Sequence, residues 1–334
     1  MQSIKHWIIK HQITAFFILT YGISWTLFII TIFILPGNMI LLGTLGTIAV
    51  FAPVLSGIII SSWSNKKSQK QQKVKRLIPF LTAWLFSVAV LVLFIWQVRG
   101  AQIRIGLIIF CGILALLPAY ILSGAFSKNP GVLSYLETLI KPKGHFIWYI
   151  IAVFTFPVIQ LTGYGLSRIL GQNTGELVRG GFSLHTIILI VLTFLYGFLF
   201  AGGINEESGW RGFAIPKLQK KYSPLLASVI VWFFWALWHL LYDIAGEDSV
   251  TSILMNRLTY NFLWAILFVW IFNRTKGSIL APALFHPAMN TFGDFLPRTD
   301  AATILFVLLT IYAVVSDRMW MKVSDSTSTT NQKS

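Results

Sequence analysis

The sequence predicts an all-α fold, a polytopic transmembrane helical bundle of about ten spans, and three observations carry that prediction. The 334 residues are 56% hydrophobic, with a mean hydropathy of +0.73. Only 11% are charged, where about 25% is ordinary for a soluble domain. Apolar runs long enough to cross a hydrocarbon core of about 30 Å recur from end to end. These runs are too long and too continuously apolar for barrel strands, and backbone in lipid must otherwise be satisfied within each helix.

The runs fall at about 12–35, 40–62, 77–97, 105–126, 146–166, 184–204, 224–243, 253–272, 277–293 and 301–320. Lys5 and Lys10 precede the first, which has no small-residue cleavage pattern and so reads as a retained anchor rather than a signal peptide. Pro53, Pro79, Pro118 and Pro157 start or kink helices in the first half, as membrane helices tolerate. Polar groups interrupt the sixth and ninth runs. Ser223 and Pro224 supply a cap and a first-turn proline for the seventh. The single cysteine, Cys111, excludes an intrachain disulfide and a thiolate metal cluster, and its apolar setting marks it as a small packing residue. We divide the chain into N-terminal spans (1–180), a polar module (181–296), a final helix (297–322) and a polar tail expected to be disordered (323–334).

Basic residues set the expected orientation. With the N-terminus inside, only Arg99, Arg104, Arg168, Arg179, Arg257 and Arg298 fall outside, and the other 20 of the 26 Lys and Arg residues fall inside. The outer segments also carry Glu176, Asp243, Glu247, Asp248, Asp294 and Asp300, so their net charge is zero. The positive-inside rule then gives N-in and C-in, in a cell (plasma) membrane. It also accounts for the net charge of +15 without nucleic acid: the loop NKKSQKQQKVKR beside membrane spans reads as a topology signal that meets anionic lipid.

Within 181–296 ionisable and amide groups interrupt lipid-compatible helices. Charges cost roughly 2.5–3.5 kcal/mol each on insertion scales, so they persist where they face a cavity and serve a purpose. Glu206 and Glu207 in GGINEESGWRGF point about 100° apart on a helix. Glu207 and Arg211 are spaced to pair on one face. That leaves Glu206 to accept a proton, and a carboxylate held away from water is the stronger base. The competing reading is a solvated charged turn. His239 lies among Trp232, Phe233, Phe234, Trp235 and Trp238, either as an interfacial residue or as a second group on a catalytic water. His286 and Asn290 lie one turn apart, between Pro282 and the next segment, with Pro287 beside the histidine. Both are donors suited to an oxyanion, or to a hydrogen bond between helices.

EExxxR, a histidine on the next span and HxxxN two spans later together resemble the CPBP/Abi family of intramembrane proteases, the CAAX-processing and bacteriocin-processing enzymes. The likeness covers about residues 185–295, with Trp235 where the family usually has phenylalanine. It implies endoproteolysis of a membrane-associated peptide or protein substrate at the membrane lipid. Glu206 and His239 would activate water, His286 and Asn290 would hold the tetrahedral oxyanion, and Glu207 and Arg211 would support the first motif. The resemblance is compatible with zinc held by Glu206, His239 and His286, with water as fourth ligand, and with a metal-free glutamate mechanism; HExxH is absent. A rival from another class is a transporter, or an immunity protein that binds a peptide without cutting it. Intramembrane carboxylates and histidines also serve proton relays, but no inverted repeat is recognisable.

The scheme sets one structural requirement. In the simplest topology Glu206 ends the sixth span while His239 lies well along the seventh, a depth difference of about 15–20 Å at 1.5 Å per residue. Pairing them requires the sixth helix to continue through Arg211 toward Pro216, as the apolar character of GWRGFAIPKLQ predicts.

Overall fold

The computed structural model describes residues 2–35, 37, 39–63, 76–246 and 249–322. Most of the basic loop before Arg76, Glu247 and Asp248, and the tail 323–334 lie outside the described residues. The described residues form helices and no strands. In chain order these are α1 (Gln2–Lys10), α2 (Gln12–Phe28), α3 (Met39–Val50), α4 (Ala52–Ser62), α5 (Leu77–Arg99), α6 (Ile105–Leu114), α7 (Leu116–Ser123), α8 (Pro130–Ile140) and α9 (Ile147–Ile169). They continue as α10 (Leu184–Phe200), α11 (Ile204–Gly209), α12 (Ile215–Leu218), α13 (Pro224–Ala245), α14 (Val250–Met255), α15 (Asn261–Arg274), α16 (Leu280–Phe295) and α17 (Asp300–Ser316). Three π-helical stretches, Ile29–Ile34, Trp210–Ala214 and Asn256–Tyr260, extend or join them.

Among the described residues seven helices are long and apolar enough to cross a membrane, or eight if the bent pair Ile40–Val50 and Ala52–Ser62 is one span. The chain is thus a multi-pass membrane protein. Each of the ten expected runs contains helix; the count from length alone is lower because α16 and α17 have only 16 and 17 residues. Short helices can sit in such a bundle because neighbours cover them: Ala281, Phe285, Ala288 and Met289 of α16 are buried. Lipid-facing positions are apolar, as at Leu85, Ile109 and Val158. Ser223 caps α13 by accepting from the Leu226 N–H, with Pro224 in the first turn. The segment expected as a plain basic loop after Lys128 contains α8, capped by the Asn129 side chain on the N–H groups of Gly131 and Val132. Cys111 is buried as a packing residue.

The sixth span departs furthest from the simple picture. Helix runs from Leu184 to Leu218, 35 residues, interrupted at Ala201–Gly203. Arg211 therefore lies inside a buried helical segment, and the turn into α13 begins at Gln219.

One hydrophobic core extends from Ile8 to Met319. α2 runs parallel to α13: Phe17 stacks on Phe234, the Tyr21 hydroxyl donates to the Phe234 carbonyl, the Trp25 indole to the Trp238 carbonyl, and Phe28 meets Tyr242. α4 and α8 pack against α11 and each other. Pro53 opens α4, which is bent against α3 by 54°. It has no N–H for the Ala49 carbonyl, which accepts instead from the Ser24 hydroxyl at 2.7 Å.

The bundle has two chemically distinct ends. At one, Arg76 pairs with Glu137 (2.7 Å), the Asn129 amide donates to the Ser62 carbonyl (2.7 Å), and Tyr149 bonds Ser278 (2.9 Å). At the same end Arg274 pairs with Asp317 (2.7 Å), and the Leu225 N–H donates to the Met319 carbonyl (2.8 Å). At the other, the Arg179 N–H donates to the Phe295 carbonyl (2.9 Å), Arg257 pairs with Asp243 (2.6 Å), and Tyr260 bonds Thr303 (3.1 Å).

Candidate active site

The break at Ala201–Gly203 places the first motif. Gly202 takes φ +110°, and a Cβ there would stand 2.6 Å from His286 Nε2 and Cδ2. Only glycine lets the imidazole approach this backbone. The Asn205 side chain then pins the turn, accepting from the Gly202 N–H at 2.9 Å and donating to the Val50 carbonyl at 3.0 Å. That carbonyl lies at the α3–α4 bend. On the far side of α11 the Tyr135 hydroxyl donates to the Ser208 carbonyl at 2.7 Å, and Gly209 lies against Pro53 so closely that a Cβ would meet it at 2.5 Å. Helices from the first half of the chain thus hold the motif in place.

The two glutamates have different surroundings. Glu207 is fully buried, and its Oε1 accepts from Arg211 Nη1 at 2.9 Å and faces His286 Nδ1 at 2.8 Å. The Arg211 guanidinium is also fully buried, 4.0 Å above the Phe268 ring centroid and 5.0 Å from that of Trp235. The i, i+4 pairing of Glu207 with Arg211 is as expected. Glu206, one residue earlier, points to α13, where its Oε2 accepts from the Trp235 indole at 2.7 Å. The sixth helix does continue past the glutamates, and this brings Glu206 level with Trp235 of α13, one turn before His239.

His239 follows Trp235 by one turn. Its Nδ1 lies 2.8 Å from the Trp235 carbonyl, which can only accept, so the proton sits on Nδ1 and Nε2 presents a lone pair. His286 is fixed in the same sense by the Glu207 carboxylate. The Trp235 ring stands perpendicular to both imidazoles, with centroids 5.4 Å from His239 and 5.6 Å from His286. Glu206, Arg211, His239 and His286 therefore surround one tryptophan, with Glu207 just behind them.

Asn290 shares α16 with His286 but meets a different environment. His286 is 3% exposed, whereas Asn290 is exposed and lines a cleft of about 310 Å³. Tyr196, Gly197, Ala201, Met289 and Trp264 also line it. Ala201 adjoins Gly202, so the cleft reaches the turn that packs against His286.

Among the described residues, no three His, Cys, Asp or Glu side chains converge closely enough to hold a metal ion. Nδ1 protons fixed by a carbonyl and a carboxylate are the tautomers found in metal-bound histidines, but Glu206 is turned to an indole, and the zinc set does not fit this arrangement.

Residues 179–292 match the family described as type II CAAX prenyl endopeptidase Rce1-like. The match covers about a third of the chain and takes in the segment that carries the candidate site. A protein named CAAX prenyl protease 2 from Methanococcus maripaludis is 32% identical over 157 residues, which cover 45% of this chain and 56% of that relative. The chain thus spans little more than half the length of the curated relative it matches. All six motif residues lie inside the matched segment. Asn205, Gly202 and the indole of Trp235 were not singled out as bonding groups from the sequence. The signals were the adjacent glycines, the amide beside the glutamates, and a tryptophan in place of phenylalanine that brings an N–H donor.

Proposed function

We propose that the chain is an intramembrane endopeptidase of the plasma membrane that hydrolyses peptide bonds of membrane-associated peptides or proteins. Glu206 accepts a proton from a water molecule held between it and His239 Nε2. The hydroxide oxygen bonds the substrate carbonyl carbon, and the carbonyl electron pair moves to oxygen. The Asn290 amide donates to that oxyanion, and His286 does so once it is an imidazolium, with Nδ1–H on Glu207 and Nε2–H on the oxyanion. Collapse of the tetrahedral centre breaks the C–N bond, and the proton taken by Glu206 passes to the departing amine. The Trp235 indole holds Glu206 against α13, while Glu207 and Arg211 anchor His286.

What supports this reading best is the different treatment of the two glutamates. Glu207 is bonded to two partners in a dry pocket, whereas Glu206 keeps one neutral donor and lies beside the helix that carries a histidine with a free lone pair. A proton relay for transport would also use a buried carboxylate. The cleft, however, stops at the turn around Gly202 and His286, and packed side chains fill the bundle beyond it. The relative's name points to prenylated substrates; bacteriocin processing or self-immunity is the other branch of the same chemistry.

The test is cleavage by wild type and Glu206→Gln at matched membrane levels. The substitution keeps the shape and removes the base, and activity should fall at least a hundredfold, within the range of about 10²–10⁴ for a lost general base. Full retention would assign the site to binding or transport.

A further inference from the structure

The cleft and the basic segments lie at opposite ends of the bundle. Exposure differs across the site: Glu207 and Arg211 are sealed, Glu206 is 6% exposed, His239 is half-buried, and the exposed Asn290 is the site residue that lines the cleft. Beyond Asn290 the cleft is lined by Asp294, Arg298 and Arg99, near the C-terminal ends of α16 and α5. A second hollow of about 620 Å³, lined by Glu176, Arg179 and Asp294, adjoins it. In the other direction the buried side chains of Trp210, Arg211, Phe213 and Ile215 fill the space. The route to the site therefore leads to the end held together by Arg179–Phe295 and Asp243–Arg257, and not to the end where Arg76, Lys143, Arg274 and Met319 gather.

Charge gives the two ends their membrane sides. Among the described residues, every lysine belongs to the segments of the closed end. In the sequence, the segments of the open end carry the six arginines named above, balanced by six acidic residues. Cytoplasmic segments hold the Lys and Arg excess. We infer that the catalytic cleft opens on the extracytoplasmic face, so that its substrate is an exported or outer-leaflet peptide segment rather than the C-terminus of a cytoplasmic prenylated protein. This deepens the protease reading and rests on it for the word substrate; the direction of opening stands on packing and charge alone.

The test is thiol labelling of full-length protein in intact cells with a membrane-impermeant maleimide, followed by the same labelling after permeabilisation. Cys111 is fully buried and gives a low background. Gln102→Cys and Asn173→Cys probe the open end, Arg298→Cys the cleft mouth, and Lys143→Cys and Lys220→Cys the closed end. All five positions are exposed. The expected result is labelling of the first three in intact cells, and of the last two only after permeabilisation. The reverse pattern, or equal labelling of both sets in intact cells, overturns the inference. Because labelling needs no catalysis, a Glu206→Gln protein that keeps its activity would refute the protease reading and leave this result untouched.

Discussion

Two halves of the site, one dry and one facing the cleft, are built from neighbouring residues by opposite rules. The dry half pairs Glu207 with Arg211 and His286 beneath the Phe268 ring, with no exposed carboxylate surface. The other half gives Glu206 one neutral donor, leaves His239 half-buried and places Asn290 in the cleft. A rotation of about 100° along one helix turn thus makes one glutamate a counter-ion and turns the other to the indole of Trp235, where it can serve as the base proposed above. What separates the two glutamates is charge pairing and seclusion, because the dry half too leaves Glu207 Oε2 and Arg211 Nε and Nη2 without hydrogen-bond partners.

The strongest way to break the contrast is to uncouple the dry half. Arg211→Leu leaves Glu207 buried without its cation and should cost about 3–5 kcal/mol, read as a fall in folded yield and thermal stability in detergent. The double variant Glu207→Leu, Arg211→Leu should regain much of that stability and remain inactive, because His286 has lost its anchor. A double variant that cleaves normally would show that the pair does not position His286. Gly202→Ala should leave insertion intact and lower the cleavage rate on the order of a hundredfold, since the new Cβ, 2.6 Å from the ring, displaces the imidazole.

Finer substitutions sharpen the comparison. Trp235→Phe removes the indole donor to Glu206 but keeps the ring, and should reduce kcat about tenfold with KM little changed, since a hydrogen bond to a charged group contributes roughly 1.5–3 kcal/mol. An altered KM at constant kcat would instead make Trp235 a wall of the substrate cleft. Tyr135→Phe should have the smallest effect, about 1 kcal/mol of stability from the lost bond to Ser208, with cleavage unchanged.

Much of the fold was legible because apolar length reports directly on span position. The exceptions have local causes. α8 lay hidden in a basic segment, although Val132, Tyr135, Leu136 and Leu139 already show helical spacing behind an Asn129–Pro130 start. α16 and α17 read as full spans because the runs 277–293 and 301–320 took in Gly277 and Ser278 before α16 and Asp317 and Arg318 beyond α17, which lie outside the helices. At the site, Glu207 with Arg211 was legible because both partners lie on one helix at a fixed spacing. Glu206 with Trp235, and His286 with Glu207, were not, because partners 29 and 79 residues apart meet through the packing of separate helices. Asn205 was overlooked for the same reason: its acceptor is the Val50 carbonyl, and main-chain acceptors leave no trace in residue identity.

The bend at Pro53 has a consequence for biogenesis. A polypeptide enters the membrane from its N-terminus, so the segment bearing the carbonyls of Ala49 and Val50 is made about 150 residues before Asn205 emerges. Ser24 already occupies the first of those carbonyls and later receives the Trp238 indole at 2.7 Å. The early helices thus serve as a template on which the motif is completed only when α11 and α13 arrive. His286 emerges about 80 residues after Gly202, so the turn and the imidazole that packs on it meet only once α16 has entered.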